Sequence, residues 1–246
     1  MNVNIYTTEE EAAVAAGEYV NDYVKNNPKA VLGLATGSTP LSLYAEMIKG
    51  CKAGIDYSGV TTFNLDEYVG LPVDYEQSYR NFMDRNLFSQ ININPANTYV
   101  PDGMAADPTK ACAEYEERIK AAGGIDIQVL GIGSNGHIGF NEPPSAFDSR
   151  TRVVELTEQT ISDNSRFFQS SDKVPRKAIS MGVGTILDAR SIVLLSYGQG
   201  KAPALKGAIE EAPDVMNPAS ALQSHPKMNF YVDDASASSL TKQHKT

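Results

Sequence analysis

Basic residues, cysteines and long apolar runs are all scarce in this chain of 246 residues. No run of about eighteen apolar residues occurs, and no positively charged and then apolar leader begins at Met1, so we expect a cytoplasmic protein with no membrane partner. With 21 basic against 30 acidic residues, the formal net charge of -9 argues against nucleic acid as a partner. The two cysteines, Cys51 and Cys112, offer neither a disulfide framework nor a metal set, and we expect both to be packing residues.

Histidines are also few. The three in the chain are scattered and none lies in an H-E-x-x-H motif, so no metal site is indicated. His225 precedes a proline and His244 lies in the polar tail TKQHKT, and we expect structural roles for these two. No serine sits in a G-x-S-x-G elbow. If the chain is an enzyme, its chemistry is therefore acid and base chemistry by carboxylates and a histidine.

What the sequence does contain is a regular alternation of apolar strands and amphipathic helices. The segments with strand character are NVNIY, AVLGLA, VTTFNL, IDIQVLGIG, TRVVEL, AISM, SIVLLSYG and NFYVD. Long helical patterns separate many of them, and the first of these helices has Thr7 or Thr8 as its N-cap. Such an order is typical of a mostly parallel sheet covered on both faces. We therefore predict one α/β domain over residues 1–246, built on a single doubly wound, Rossmann-like sheet with helices on both faces.

The loop LATGSTP, which follows the strand AVLGLA, has the composition of a phosphate cradle. In a doubly wound sheet, ligands bind beyond the carboxyl ends of the strands. Gly37 permits a tight turn, Ser38 and Thr39 supply hydroxyls, and Pro40 suits the first turn of a helix with a positive N-terminal end. The loop lacks the lysine of a Walker motif, so a nucleoside triphosphate is not indicated. A capped turn that binds no ligand is the alternative.

Two adjacent carboxylates, Asp66 and Glu67, follow the strand VTTFNL in the motif FNLDEYVGLP. The first could project into the cleft as a general base, while the second turns away or accepts backbone hydrogen bonds. A turn or capping role for Asp66 is the alternative.

The segment GIGSNGHIGFNEPP combines G-x-G-x-x-G spacing with a histidine and a glutamate. A dinucleotide-binding turn needs a helix directly after the glycines, and Pro143 and Pro144 would break that helix, so we expect no dinucleotide cofactor. The loop then holds His137 and Glu142 in an irregular segment, where the carboxylate can orient the imidazole for a proton shuttle. A hydrogen-bonded structural histidine is the alternative.

Taken together, these motifs resemble those of one enzyme family. LGLATGSTP, FNLDEYVGLP, GIGSNGHIGFNEP, NSRFF and MGVGTILDA occur in this order, and GQGKAPAL and LQSHP extend the likeness almost to the C-terminus. They are similar to the glucosamine-6-phosphate deaminases of the glucosamine/galactosamine-6-phosphate isomerase family. The resemblance implies conversion of D-glucosamine 6-phosphate and water to D-fructose 6-phosphate and ammonia in amino sugar catabolism, with no organic cofactor.

The resemblance also implies catalytic roles. Asp66 would move a proton between C2 and C1 of the opened sugar, since the isomerisation needs one base over one face of an enediol or enolamine. His137 would open the pyranose ring and Glu142 would orient it. The best known members carry an aspartate where this chain has Asn135, which cannot carry a charge, so we expect a simpler ring-opening relay.

The phosphate would be bound by the segment Thr36–Thr39, with Arg166 of NSRFF and Lys201 of GQGKAPAL as cationic partners. From its local sequence alone, Arg166 could equally be a solvated helix residue.

Regulation is expected to differ from that of hexameric members. Those are activated by N-acetylglucosamine 6-phosphate, which binds between subunits through basic residues after the catalytic glutamate and through a C-terminal extension. Here SRTRVVEL keeps Arg150 and Arg152 but has Val154 where those members have a lysine, and the chain ends soon after NFYVDD. We therefore expect no strong activation and a monomer or small homo-oligomer.

Two alternatives to a deaminase remain at this point. A 6-phosphogluconolactonase shares the fold and a similar glycine-rich loop, but it has no need of a C1/C2 base such as Asp66. A sugar-phosphate-sensing module could keep the phosphate loop and lose Asp66 and His137, whereas both are present here and we expect no DNA-binding segment before residue 1.

Overall fold

A seven-stranded parallel sheet forms the centre of the molecule. The structure is a computed structural model that describes residues 1–165, 168 and 174–241. The strands lie in the order β1 (Asn2–Tyr6), β10 (Met228–Asp233), β9 (Ser191–Ser196), β6 (Ile127–Gly131), β2 (Val31–Leu34), β3 (Thr61–Asn64) and β5 (Thr98–Tyr99). Every neighbouring pair runs parallel. The prediction of a mostly parallel α/β sheet is confirmed.

Helices cover both faces of this sheet. The helices in the described part of the chain are α1 (Glu9–Asn26), α2 (Leu41–Lys52), α3 (Tyr79–Asn86), α4 (Pro108–Ala121), α5 (Glu158–Asn164), α6 (Val183–Leu187), α7 (Ala202–Ile209) and α8 (Asp234–Ala237). Residues of α1, α2 and α3 pack in one core with Val129, whereas residues of α4, α6 and α7 pack in another with Leu130. These two neighbours in β6 enter different cores because successive side chains of a strand point to opposite faces.

The first helix begins where the sequence predicted. The N–H group of Glu11 donates to the Thr8 hydroxyl, and the Glu11 carboxylate accepts from the N–H group of Thr8, which completes a capping box. Within the described residues, no helix combines the length and the apolar character needed to cross a membrane.

A second, smaller sheet lies beside the first. The strands predicted in TRVVEL and AISM do form, as β7 (Arg152–Glu155) and β8 (Lys177–Ser180), but β8 pairs antiparallel with β7 on one side and with β4 (Asp66–Tyr68) on the other. The chain changes partners at Leu65, whose N–H group donates to Leu34 of the central sheet and whose carbonyl accepts from Met181 after β8. The sequence-based expectation of a single sheet therefore misses this companion sheet, which begins at Asp66.

The strand order reverses between β2 and β6. The chain runs from β2 outward through β3 to β5 on one side, and from β6 outward through β9 to β10 on the other. The loops that leave β2 and β6 at their carboxyl ends therefore diverge and open a crevice between them, which is where ligands bind in sheets of this kind.

Candidate active site

A cleft of about 290 Å³ opens at this crevice. Among the residues predicted from the sequence, it is lined by Thr36, Gly37, Ser38, Thr39, Asp66, His137 and Lys201. A larger cavity of about 1030 Å³ lies between α4, β7 and α6 and contains none of the predicted catalytic or phosphate-binding residues. Since the predicted base Asp66, the predicted imidazole His137 and the predicted cation Lys201 all line the smaller cavity, we assign the candidate site to it.

The loop between β2 and α2 forms one wall of the cleft. Gly37 has a φ of 93°, in the left-handed region that favours glycine, and a Cβ there would meet nothing within 4 Å. Pro40 lies directly before α2 and makes no side-chain hydrogen bond to its first turn, which leaves the positive helix end open to an anion. Lys201 ends a short 3-10 helix after β9 and lines the same cleft. This wall suits a phosphate group.

Asp66 lies on another wall, at the start of β4, and only 6% of its surface is exposed. Burial raises the pKa of this carboxyl to about 8, and the charge of Glu67 adds to the effect. The chain passes close to it at Gly139, where a Cβ would come within 3.4 Å of Oδ2 of Asp66. A carboxyl with a pKa near neutrality is suited to taking up and returning a proton.

Glu67 points away from the cleft. Its Oε1 atom accepts hydrogen bonds from the N–H groups of Tyr68 and Tyr79, at 2.8 and 3.0 Å, and its Oε2 atom accepts one from Arg80, at 3.0 Å. The two adjacent carboxylates therefore have separate surroundings, as the alternation of side chains along a strand requires.

The loop after β6 carries the imidazole on the same cleft. The turn closes through hydrogen bonds from the N–H group of Gly136 to the carbonyl of Gly133, at 3.0 Å, and from that of Gly133 to the carbonyl of His137, at 2.8 Å. A Cβ at Gly133 would stand 2.2 Å from Cε1 of His137. The ring therefore lies against a position that has room for glycine alone.

Asn135 connects the imidazole to Glu142. The Oδ1 atom of Asn135 lies 2.7 Å from Nδ1 of His137, and its Nδ2 atom donates to Oε2 of Glu142 over 2.7 Å. The direct distance from Nδ1 of His137 to Oε2 of Glu142 is longer, at 3.5 Å. A carboxylate accepts hydrogen bonds only, so the amide turns its NH₂ group towards Glu142 and its oxygen towards the ring. This places the proton of the neutral imidazole on Nδ1 and leaves the lone pair of Nε2 available as a base.

Glu142 supplies the negative charge of the hydrogen-bonded group formed by Asn135, His137 and Glu142. Burial acts to raise its pKa, but hydrogen bonds from His137, Thr160 and Asn135 and the charge of His137 outweigh burial and lower the pKa to about 2. The Thr160 hydroxyl, in α5, donates to Oε1 of Glu142 over 2.7 Å. The carboxylate thus stays ionised over the range in which a histidine exchanges protons.

Comparison with known proteins identifies the family of this chain. Residues 7–230 match the model of the family of glucosamine-6-phosphate isomerases and 6-phosphogluconolactonases. The chain belongs to this family. A relative named glucosamine-6-phosphate deaminase from Shewanella loihica is 52% identical over 98% of this chain and 90% of its own length. Another of that name from Halothermothrix orenii is 51% identical over 98% of this chain and 100% of its own length.

Solved structures of the family show the same fold. A structure described as a monomeric glucosamine-6-phosphate deaminase superposes with a TM-score of 0.95 at 42% identity and covers 98% of this chain and 100% of its own. The 6-phosphogluconolactonase of Trypanosoma brucei superposes with a TM-score of 0.80 at 18% identity, over 98% of each chain. At that identity the second likeness shows the fold alone. The predicted family membership is confirmed.

Two cleft residues of this family member escaped the sequence reasoning. Tyr79 and Thr160 both line the cleft. Tyr79 is the first residue of α3 and stacks on Phe140, with 6.1 Å between ring centroids. Burial raises its pKa well above the ordinary value, and the side chain of Thr36 in the predicted phosphate loop acts against that effect. The helix-capping residue Ser78 was a usable signal for where α3 begins, but nothing local indicated that its first side chain turns into the cleft.

The remaining predicted residues are easily placed. His225 is buried, and its Nε2 atom lies 2.7 Å from the carbonyl of Ala189, as expected for a structural histidine. Cys112 is buried in α4 and Cys51 is half-buried in α2, both unpaired. Arg166 and His244 lie outside the described residues. Within the described part of the chain, no cluster of three His, Cys, Asp or Glu side chains could hold a metal ion.

Proposed function

We propose that this protein converts D-glucosamine 6-phosphate and water to D-fructose 6-phosphate and ammonia. The observation that carries the proposal is Asp66, a buried carboxyl with a pKa raised to about 8, on the wall of a cleft that it shares with His137 and the 36–39 loop. The names of the relatives at about half identity support the same reaction. The reaction balances without a redox cofactor or group carrier, so a small amino sugar phosphate is the only partner that it requires.

His137 and Asp66 would act in sequence. Nε2 of His137 takes the proton of the C1 hydroxyl and passes it to the ring oxygen as the bond from C1 to that oxygen breaks, which opens the sugar. Asp66 in its ionised form then removes the C2 proton and returns it to C1, through an enolamine. The product is an imine at C2, and addition of water there releases ammonia. Asn135 and Glu142 keep the imidazole in the tautomer that leaves Nε2 free.

The phosphate would lie at the start of α2. The segment Thr36–Thr39 and Lys201 line the cleft there, and we include Arg166 on the strength of the sequence motif. The open helix end and the ammonium group both favour a dianion. Binding at this end would fix the sugar so that C1 and C2 face the two proton-transfer groups.

The decisive experiment compares wild-type protein with Asp66→Asn and Asp22→Asn. Release of ammonia and of fructose 6-phosphate from glucosamine 6-phosphate is measured in a coupled assay, and binding of the substrate by calorimetry. Asp22 is exposed on α1, so its variant controls for the substitution itself. We expect wild type and Asp22→Asn to turn over, and Asp66→Asn to bind substrate and lose at least about a hundredfold in kcat.

An active Asp66→Asn variant would refute the role of Asp66 as the base. A wild-type protein that binds the sugar phosphate and releases no ammonia would refute the reaction itself. Hydrolysis of 6-phosphogluconolactone by that same protein would then establish the lactonase alternative, and binding without either reaction would establish the sensor.

We also propose that the protein acts as a monomer without activation by N-acetylglucosamine 6-phosphate. Arg150 donates to Glu116 and Asp188, at 2.6 and 2.7 Å, and Arg152 donates to Asn141 at 2.8 Å. The two basic residues kept from the activator motif thus have partners within the chain. Sedimentation velocity should give the monomer mass, and rates should follow a hyperbola with and without the N-acetylated sugar. A sigmoidal curve that the N-acetylated sugar makes hyperbolic would contradict the proposal.

A further inference from the structure

Glu67 is a buried carboxylate for which the proposed reaction has no use. Only 3% of its surface is exposed, and it directly follows Asp66 in β4. Burial raises its pKa, and three hydrogen bonds from backbone N–H groups oppose that effect. A buried carboxylate without a function is costly to keep, whereas one that accepts several N–H groups can hold separate segments together.

The three hydrogen bonds join two walls of the cleft. One comes from Tyr68, the next residue of β4, and two come from Tyr79 and Arg80 in the first turn of α3. Asp66 projects from the first of these segments and the Tyr79 ring from the second, and both side chains line the cleft. The Glu67 carboxylate is therefore the link between the strand that carries the base and the helix end that carries the phenol.

The surroundings of Glu67 leave it little freedom to move. A Cβ at Gly103 would stand 2.0 Å from the carbonyl oxygen of Tyr68 and 3.4 Å from Cγ of Glu67, so the 101–104 turn presses against this part of β4. The N–H group of Gly70 also donates to the carbonyl of Gly103, at 2.8 Å. A helix N-terminus favours negative charge, so the first turn of α3 stabilises the carboxylate where it lies.

We propose that Glu67 is a positioning residue, whose carboxylate ties β4 to the first turn of α3 and so holds Asp66 and Tyr79 in fixed places on the cleft. This role rests on the proposed function, since it concerns the base of that reaction. Glu67 does not touch the substrate. It acts through the geometry of its two neighbours and through the negative charge that it places beside Asp66.

The charge of Glu67 makes its role measurable through the pKa of Asp66. Glu67 is the charged neighbour that raises the pKa of Asp66 beyond the effect of burial. The other titratable groups around Asp66 are the phenols of Tyr44, Tyr68, Tyr79 and Tyr115, together with His137 and Lys201 across the cleft. The phenols are uncharged near neutral pH, so they do not mask the removal of one negative charge from position 67.

Two substitutions distinguish the effect of the Glu67 charge from the effect of its side-chain length. Glu67→Gln removes the charge and turns an NH₂ group towards backbone donors, whereas Glu67→Asp keeps the charge but is one methylene too short to reach both segments. Glu116→Gln serves as the matched control, because Glu116 also accepts several hydrogen bonds, from Arg150, Thr151 and Thr185, but lies in the other cavity. The readouts are kcat, the pH profile of kcat/KM, and NMR titration of ¹³C-labelled aspartate carboxyls, with Asp66→Asn for assignment.

We expect Glu67→Gln to lower kcat and to move both the acid limb of the profile and the NMR titration of Asp66 to lower pH. We expect Glu67→Asp to lower kcat about tenfold with little change in either titration, and Glu116→Gln to lower the melting temperature alone. Should Glu67→Gln fail to fold, Glu67→Asp decides: wild-type kcat in that variant overturns the proposal. Wild-type kcat and titration in Glu67→Gln overturn it as well. Both variants are compared with a wild-type protein that turns over substrate. A wild-type protein without turnover would overturn the proposed function together with this role of Glu67.

Discussion

Replacement of Asp66 by asparagine should stabilise the fold, and the gain should grow with pH. Burial raises the pKa of Asp66 in the folded protein to about 8, from the ordinary value of 3.8. The folded state therefore holds a proton that the unfolded chain has already released. The contribution of Asp66 to stability is fully present below pH 3.8 and is lost as the pH rises through about 8. Asparagine resembles the protonated carboxyl in shape and charge and does not titrate.

The magnitude follows from the linkage between proton binding and folding. Between the two pKa values, each pH unit lowers the free energy of unfolding of wild type by about 1.4 kcal/mol relative to the variant. The difference should therefore grow by about 3 kcal/mol between pH 5 and pH 7, a large part of the stability of an ordinary domain. The pKa of Glu67 is also raised by burial. Glu67 is present in both proteins, so its own titration largely cancels in the difference.

Urea unfolding followed by circular dichroism at pH 5, 6 and 7 measures this difference directly. Asp22→Asn, on the exposed face of α1, provides the control and should track wild type at each pH. A stability difference that stays constant with pH would show that Asp66 is ionised in the folded protein throughout. Asp66 would then not be a protonated, buried base near neutral pH.

Four further substitutions test the site. Gly133→Ala should lower kcat about a hundredfold, because its Cβ would displace the His137 ring, and steady-state kinetics would show this. Glu142→Gln should lower kcat. It should also make the free energy of unfolding fall less steeply between pH 5 and pH 2 than in wild type, as acid unfolding would show, because a carboxyl with a lowered pKa stabilises the fold only while it is ionised. Thr160→Val should cost about 1 kcal/mol in urea unfolding, one hydrogen bond, and lower kcat less than Glu142→Gln does. Lys201→Ala should raise KM about tenfold with a smaller effect on kcat, and an unchanged KM would exclude contact with the phosphate.

The sequence allowed six of the seven central strands, all but the two-residue β5, and most of the predicted cleft residues to be placed in advance, for one physical reason. Parallel strands buried on both faces are continuous apolar runs, and their ends are marked by glycine, proline and polar residues. Once β2, β3 and β6 are recognised, sheet topology brings Gly37, Asp66 and His137 to one edge without further information. The short motifs around these residues are visible in the local sequence, and so are the strand ends that bring the motifs together.

The parts that escaped prediction depend on contacts between distant segments. β4 and β8 pair across more than a hundred residues, and nothing in FNLDEYVGLP shows that the chain changes sheets at Leu65. Thr160 reaches Glu142 from a helix of seven residues, whose short pattern carries little periodicity. The place of the Tyr79 ring also could not be predicted, because the sequence around it indicates a helix but not the direction in which the ring points.

Asn135 shows how an amide can serve in such a relay. Its oxygen accepts from the imidazole and its NH₂ group donates to Glu142, each over 2.7 Å, so the position of Glu142 fixes the amide and the amide fixes the imidazole. A carboxylate in its place would stand within hydrogen-bond distance of Glu142, and two like charges so close would compete for one proton. The amide avoids that competition, and the negative charge of the group resides on Glu142 alone. An amide also does not release its protons, so Nδ1 of His137 cannot pass its proton through Asn135 to Glu142. The proton exchanged with a substrate must therefore enter and leave the ring through Nε2.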